Sequence, residues 1–211
     1  MVKYLLCIVL SLQLSWSFGQ EENNFYAQLV YEYSNLDSFS IMQQKFMPGG
    51  TIIYGNDSVL YQTFTIGFLD IVRKVTKDQD SVEHFINALG KKIKFRAVFD
   101  LASDDYADFK YSTVTDTIQN VALPIAIGNY RGTEFPCYYI KGIPNNFFPR
   151  LSRLKGLPLQ YKLTGMDKGL NALVFVKELK RSIPDGIHLR DPEGYEEATE
   201  EELESIRGYF K

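Results

Sequence analysis

The chain has 211 residues, 45% of them hydrophobic and 14% aromatic, with 23 basic against 26 acidic side chains for a net charge of −3. A nucleic-acid partner is not expected, because a phosphate backbone calls for a dense cationic stripe and the basic residues here are scattered. The length suits one generous domain, no linker-like stretch divides it, and 14 Tyr with 15 Phe favour pleated, half-buried strands and apolar pockets.

Residues 1–19 read as a secretory signal peptide. Lys3 precedes the apolar run from Tyr4 to Leu14, and Ser17-Phe18-Gly19 supplies small residues for cleavage. The run is much shorter than the roughly 20 residues of a membrane-spanning helix, so no stable membrane span is expected after cleavage. Residues 20–211 are then one secreted or periplasmic domain. Loss of Cys7 with the signal leaves Cys137 alone, so no disulfide within the mature chain is expected. Its setting in Phe135-Pro-Cys-Tyr-Tyr139 favours a buried, inert thiol.

Strict alternation predicts a strand at residues 25–34, with Phe25, Ala27, Leu29, Tyr31 and Tyr33 on one face. A second extended run is expected at 38–47 and a third from Thr51 after Pro48-Gly49-Gly50, forming an antiparallel meander. Val82, Phe85, Ile86 and Leu89 fall at helical spacing before Gly90, which predicts a helix over 81–89. Alternation resumes at Ile93, Phe95 and Ala97. Residues 101–108 read as a loop, and 111–130 yield no assignment beyond a strand ending near Pro124 and a turn at Gly128-Asn129. Strands follow at 133–140, 157–163 and 170–180, with a short helix or turn at 147–154. Thr199 with Glu202 three residues on forms a capping-box pattern for a last helix over 199–210.

Catalytic patterns are absent from the sequence. His84 and His188 have no second donor at ligand spacing, and no cofactor or metal is expected. Asp100, Asp104, Asp105 and Asp108 lack the order of a calcium loop. There is no nucleophile elbow and no phosphate-binding glycine loop, so the protein reads as a non-enzyme.

The order Phe135-Pro-Cys-Tyr-Tyr139, Asn146-Phe-Phe-Pro149, Leu154-Lys-Gly-Leu-Pro-Leu159 and Pro192-Glu-Gly-Tyr195 resembles an uncharacterised family of envelope proteins, mostly from Bacteroidota, built on a domain of unknown function. That family is similar to the bacterial lipoprotein-carrier fold group. The resemblance implies an α+β fold in which a curved antiparallel sheet, an incomplete barrel, has helices closing its concave side over an apolar cavity. It also implies binding of a lipid or other apolar molecule, with Leu29, Tyr31, Ile93, Phe95, Tyr161 and Phe175 as cavity candidates. Phe147, Phe148, Pro149, Leu151 and Leu154 read as a structural lid that pins the following strand to the sheet, with Pro149 suited to start a helical turn. The alternative is an envelope scaffold with a filled core that binds a protein partner through its surface.

Overall fold

The computed structural model describes residues 24–77, 81–98, 106–143, 145, 147–164 and 170–209. Its strands are β1 (Phe25–Ser34), β2 (Gly50–Gly55), β3 (Val59–Ile66), β4 (Leu69–Thr76), β5 (Ser81–Ala88), β6 (Lys91–Val98), β7 (Asp108–Ile118), β8 (Val121–Tyr130), β9 (Thr133–Lys141), β10 (Gly156–Leu163), β11 (Asn171–Lys180) and β12 (Glu196–Glu197). They form one 12-stranded sheet in the order β12-β6-β5-β4-β3-β2-β1-β11-β10-β9-β8-β7. Each half is a meander, and β1 joins them by pairing antiparallel with both β2 and β11. Only the two-residue β12 runs parallel to its neighbour β6.

Tight turns set this topology. Leu89-Gly90, Gln119-Asn120 and Arg131-Gly132 each place two successive residues at positive φ, as a two-residue hairpin of right-handed twist requires. Register shifts at Gln28/Leu29, Pro158/Gln160 and Tyr111/Thr115 interrupt the ladders. Such irregularities bend a strand and increase its twist. The inner face is therefore covered largely by the sheet itself. Leu60, Val75 and Val82 from one half share a buried cluster with Leu123, Ala126, Leu157 and Leu159 from the other. A smaller cluster of Ile66, Leu69, Ile71, Ile86 and Ile93 continues this face toward β6.

Two helices accompany the sheet among the described residues, α1 (Ile41–Lys45) and α2 (Glu200–Tyr209). The expected α+β fold, with helices closing a curved sheet, is therefore corrected to an almost all-β fold whose sheet is not closed into a barrel. The segment expected as a helix at 81–89 is strand β5. Val82, His84 and Ile86 face inward while Phe85 faces outward against the ring of Tyr195, centroids 5.5 Å apart at 89°. Burial on both faces puts Phe85 and Ile86 side by side and mimics helical spacing. Gly90, read as a helix stop, is half of a hairpin turn.

Residues 38–47, expected as extended, contain α1. Ser40 caps it, its side chain accepting from the Gln43 backbone while the Gln43 carboxamide accepts from the Ser40 backbone at 3.0 Å. At 147–154 the chain makes a 3₁₀ turn over Pro149–Leu151, short of a helix. The last helix begins with the expected capping box, the Thr199 N–H donating to Glu202 Oε2 at 2.8 Å. Cys137 is fully buried and unpaired, and burial pushes its thiol up. The signal peptide and the aspartates at 100, 104 and 105 lie outside the described residues.

Candidate functional site

Directly opposed residues on neighbouring strands point to the same face. Successive pairs therefore trace one inward row across five strands: Ile53, Gln62, Arg73, His84 and Phe95. Three polar side chains thus stand in the middle of the inner face. A second row crosses β10, β11 and β1 as Tyr161, Val174 and Tyr31, and a third as Leu163, Ala172 and Tyr33.

These rows and the 147–151 turn enclose a cavity of about 320 Å³. Its sheet walls are Tyr31, Tyr33, Gln62, Phe64, Ile66 and Arg73 on one side and Tyr161, Leu163, Ala172 and Val174 on the other. Phe147, Phe148, Pro149, Arg150 and Leu151 close it from above, with Pro48 at the rim. The turn is held firmly. Leu151 N–H donates to Phe148 O at 2.9 Å, the Asn145 amide donates to Leu151 O, and Arg150 O accepts from Ala107 N at 2.8 Å. Just beyond it, Tyr111 Oη donates to Arg153 O at 3.1 Å and accepts from Lys155 N at 2.8 Å, which ties the segment to β7.

Besides Arg150 of the turn, five polar side chains of the sheet reach this largely apolar space. The Tyr31 hydroxyl lies within hydrogen-bonding reach of Thr51 and Gln62, and burial pushes it well above the usual phenol range. Tyr33, pushed up to about 12 by burial, donates to Pro48 O at 3.2 Å. Tyr161 is driven up by burial and by the neighbouring Tyr31. Gln62 is 3% exposed, and its Oε1 has no partner among the described residues. Arg73 Nε is likewise buried without a partner. Its guanidinium lies 5.0 Å from the centroid of the Phe64 ring, and burial lowers its pKa.

Next along the row, His84 stacks flat on Phe95 with centroids 4.8 Å apart. Burial, aided by the Arg73 charge, holds its imidazole neutral down to about pH 4.

Of the cavity candidates drawn from the sequence, the structure brings Tyr31 and Tyr161 together in the cavity wall. Leu29 lies in the main buried cluster, Ile93 in the smaller one with Phe95 packed against it, and half-buried Phe175 pairs with Val30 in the ladder. Among the lid residues, Phe147, Leu151 and Leu154 are buried in the main cluster. Phe148 is half-buried and meets the Tyr161 ring edge-on at 6.1 Å, while Pro149 is exposed. Gln62, Arg73 and His84 were not singled out from the sequence as site residues. Their signal was polar residues at inward positions of otherwise apolar strands, legible only once β3, β4 and β5 are in register.

A larger cleft of about 1080 Å³ lies elsewhere, between Asn24, Lys77, Val121, Lys141 and Arg181. It is rimmed by lysines and its lining is as polar as it is apolar; the smaller cavity has a chiefly apolar, aromatic lining with two orphaned polar side-chain atoms, Gln62 Oε1 and Arg73 Nε, and that combination marks a ligand site. No group of three or more metal-ligating side chains occurs among the described residues. No described helix is long and apolar enough to cross a membrane.

Fold and cavity together define a single-sheet antiparallel β protein with an aromatic, guanidinium-bearing pocket. No family model matches the chain, and no curated protein matches it. Solved structures of PNGF-II in two crystal forms are similar to it in fold. One has 14% identity and a TM-score of 0.51, covering 89% of this chain and 33% of PNGF-II. The other has 15% identity and a TM-score of 0.50 over 90% and 33%. The chain thus spans a third of PNGF-II, and at this identity the likeness concerns the fold alone. An uncharacterised conserved protein of Thermus thermophilus has 10% identity and a TM-score of 0.45, over 84% of this chain and 91% of that one.

Proposed function

We propose that this is a secreted or periplasmic, non-catalytic protein that binds a lipid or other apolar small molecule in the cell envelope. The observation that supports the reading is the 320 Å³ cavity, whose walls are chiefly Tyr, Phe, Leu and Val side chains. Ligand sites are of this kind, apolar enclosures with a few placed polar groups. The alternative, a scaffold with a filled core, calls for an inner face without open volume, whereas Tyr31, Phe148 and Tyr161 border such volume even where Phe148 and Tyr161 meet edge-on. Native mass spectrometry of the chain purified from its own envelope tests the proposal. The expected result is a bound adduct of lipid size that is absent from the Ala172→Phe variant, in which the new ring fills the cavity. Unliganded spectra throughout, with no shift on adding lipids, would overturn it.

A further inference from the structure

We propose that the cavity selects an amphiphile with a single short acyl chain and an anionic headgroup, the headgroup held by Arg73 and Gln62 and the chain by the aromatic wall. The inference rests on the binding function proposed above and narrows it to a ligand class. Its basis is an imbalance of charge. The cavity lining contains Arg73, and no Asp or Glu of the described residues stands beside it there. A cation buried without a counter-ion is costly, and proteins ordinarily pair it or neutralise it. Arg73 has no salt-bridge partner among the described residues, and its Nε–H is unpartnered. Contact with the Phe64 ring eases the cost and does not cancel the charge. A carboxylate or phosphate oxygen supplied by a ligand would complete the guanidinium with a charge-assisted hydrogen bond.

Gln62 faces Arg73 directly across the β3–β4 ladder. Its carboxamide can turn over with little change of shape, letting Tyr31 donate to the oxygen while the NH₂ group faces the anion. Tyr31 then satisfies the Gln62 oxygen, and the headgroup accepts from both Arg73 Nε–H and the Gln62 NH₂ group. Size restricts the remainder of the ligand, because 320 Å³ sits at the lower end of the roughly 300–1,000 Å³ of small-molecule sites. One short chain fits such a volume and a multi-chain lipid does not.

The test is a calorimetric titration of the signal-free chain with decanoate, decyl phosphate, decanol and acetate, repeated on Arg73→Met, which keeps an apolar stem and loses the charge. The expected result is that decanoate or decyl phosphate binds about 10- to 100-fold more tightly than decanol, the worth of a hydrogen bond to a charged group. Arg73→Met is expected to erase that advantage and leave decanol unchanged. Decanol and both anions binding alike would overturn the headgroup assignment while leaving apolar binding intact. Acetate binding as tightly as decanoate would show a small-anion site and overturn the amphiphile. No binding by any probe would remove the binding function itself. Should Arg73→Met fail to fold, the ratio of decanoate to decanol on the wild-type chain decides, with Gln62→Leu as the second variant.

Discussion

The two faces of strands β3 to β6 carry charge in opposite ways. On the outer face, the opposed residues Tyr61, Lys74, Glu83 and Arg96 form one row. Every charge in it is answered: Lys74 lies 3.2 Å from Glu83 and 2.9 Å from Asp191, Arg96 is 2.5 Å from Glu83, and Tyr61 donates to Asp191 at 2.9 Å. On the inner face one residue away, Gln62, Arg73 and His84 make a row with a cation and no anion. The outer row is closed by the chain itself, through the segment bearing Asp191 and Tyr195. At Gln62 and Arg73 the inner row opens on a cavity. Neighbouring positions of the same strands thus separate a structural network from a recognition surface, and what separates them is whether the polypeptide supplies the counter-charge.

The strongest way to break the inner face is to remove its cover. Phe147 is 2% exposed in the main cluster, so Phe147→Ala is expected to cost about 3–5 kcal/mol in denaturant unfolding. Half-buried Phe148, which borders the cavity, should lose less stability on truncation and more ligand affinity, an ordering that a pair of melts and titrations checks directly.

Acid provides the next test. Folded His84 stays neutral down to about 4, whereas the unfolded side chain protonates near 6.5. The unfolded state therefore binds more protons between those values, so this stability is complete above 6.5 and falls as the pH drops toward 4, by an amount on the order of 3 kcal/mol. Comparing wild type with His84→Phe at pH 7 and pH 4 isolates that loss from the outer carboxylates, and equal acid sensitivity in both proteins would refute it.

Arg73→Met should leave stability unchanged or raise it by up to about 1 kcal/mol, since Arg73 is half-buried with an orphaned Nε and an apolar group of similar length removes that cost. A marked drop in melting temperature would mean that Arg73 is structurally satisfied. The smallest effect belongs to the outer network. Asp191, held below its usual range by Lys74 and Tyr61 against the cost of burial, is half exposed, so solvent screening limits Asp191→Asn to under about 1 kcal/mol in a thermal melt.

Strand faces with one solvent side were legible in the sequence. The alternation at Phe25 to Tyr33 and at Ile93 to Ala97 became β1 and β6, and Thr199 with Glu202 became the start of α2. What failed was any segment buried on both sides. Strand β5 packs inward on the core and outward on Tyr195, a contact 110 residues away in sequence that no local period records. Helix α1 was missed because residues 38–47 read as extended, and its Ser40–Gln43 capping box emerges only in the structure. Strand β7 escaped for another reason: the run from Lys110 to Thr117 at the sheet edge is exposed on both faces and shows no apolar alternation, while β8 runs on through Pro124 and Gly128-Asn129, where a strand end and a turn were expected. The site was half legible. Tyr31, Tyr161 and the 147–151 turn lay on recognisable elements, whereas Gln62, Arg73 and His84 acquire meaning only when three strands are set in register.

The most direct test of the central claim, that the inner polar row and the aromatic wall form one amphiphile site, is a crystal structure of the signal-free chain with 10-bromodecanoate. The expected result is an anomalous bromine peak within the cavity bordered by Phe147, Tyr161 and Leu163, with carboxylate oxygens within hydrogen-bonding distance of Arg73. Bromine outside that cavity, or a carboxylate directed to solvent with Arg73 untouched, would contradict it.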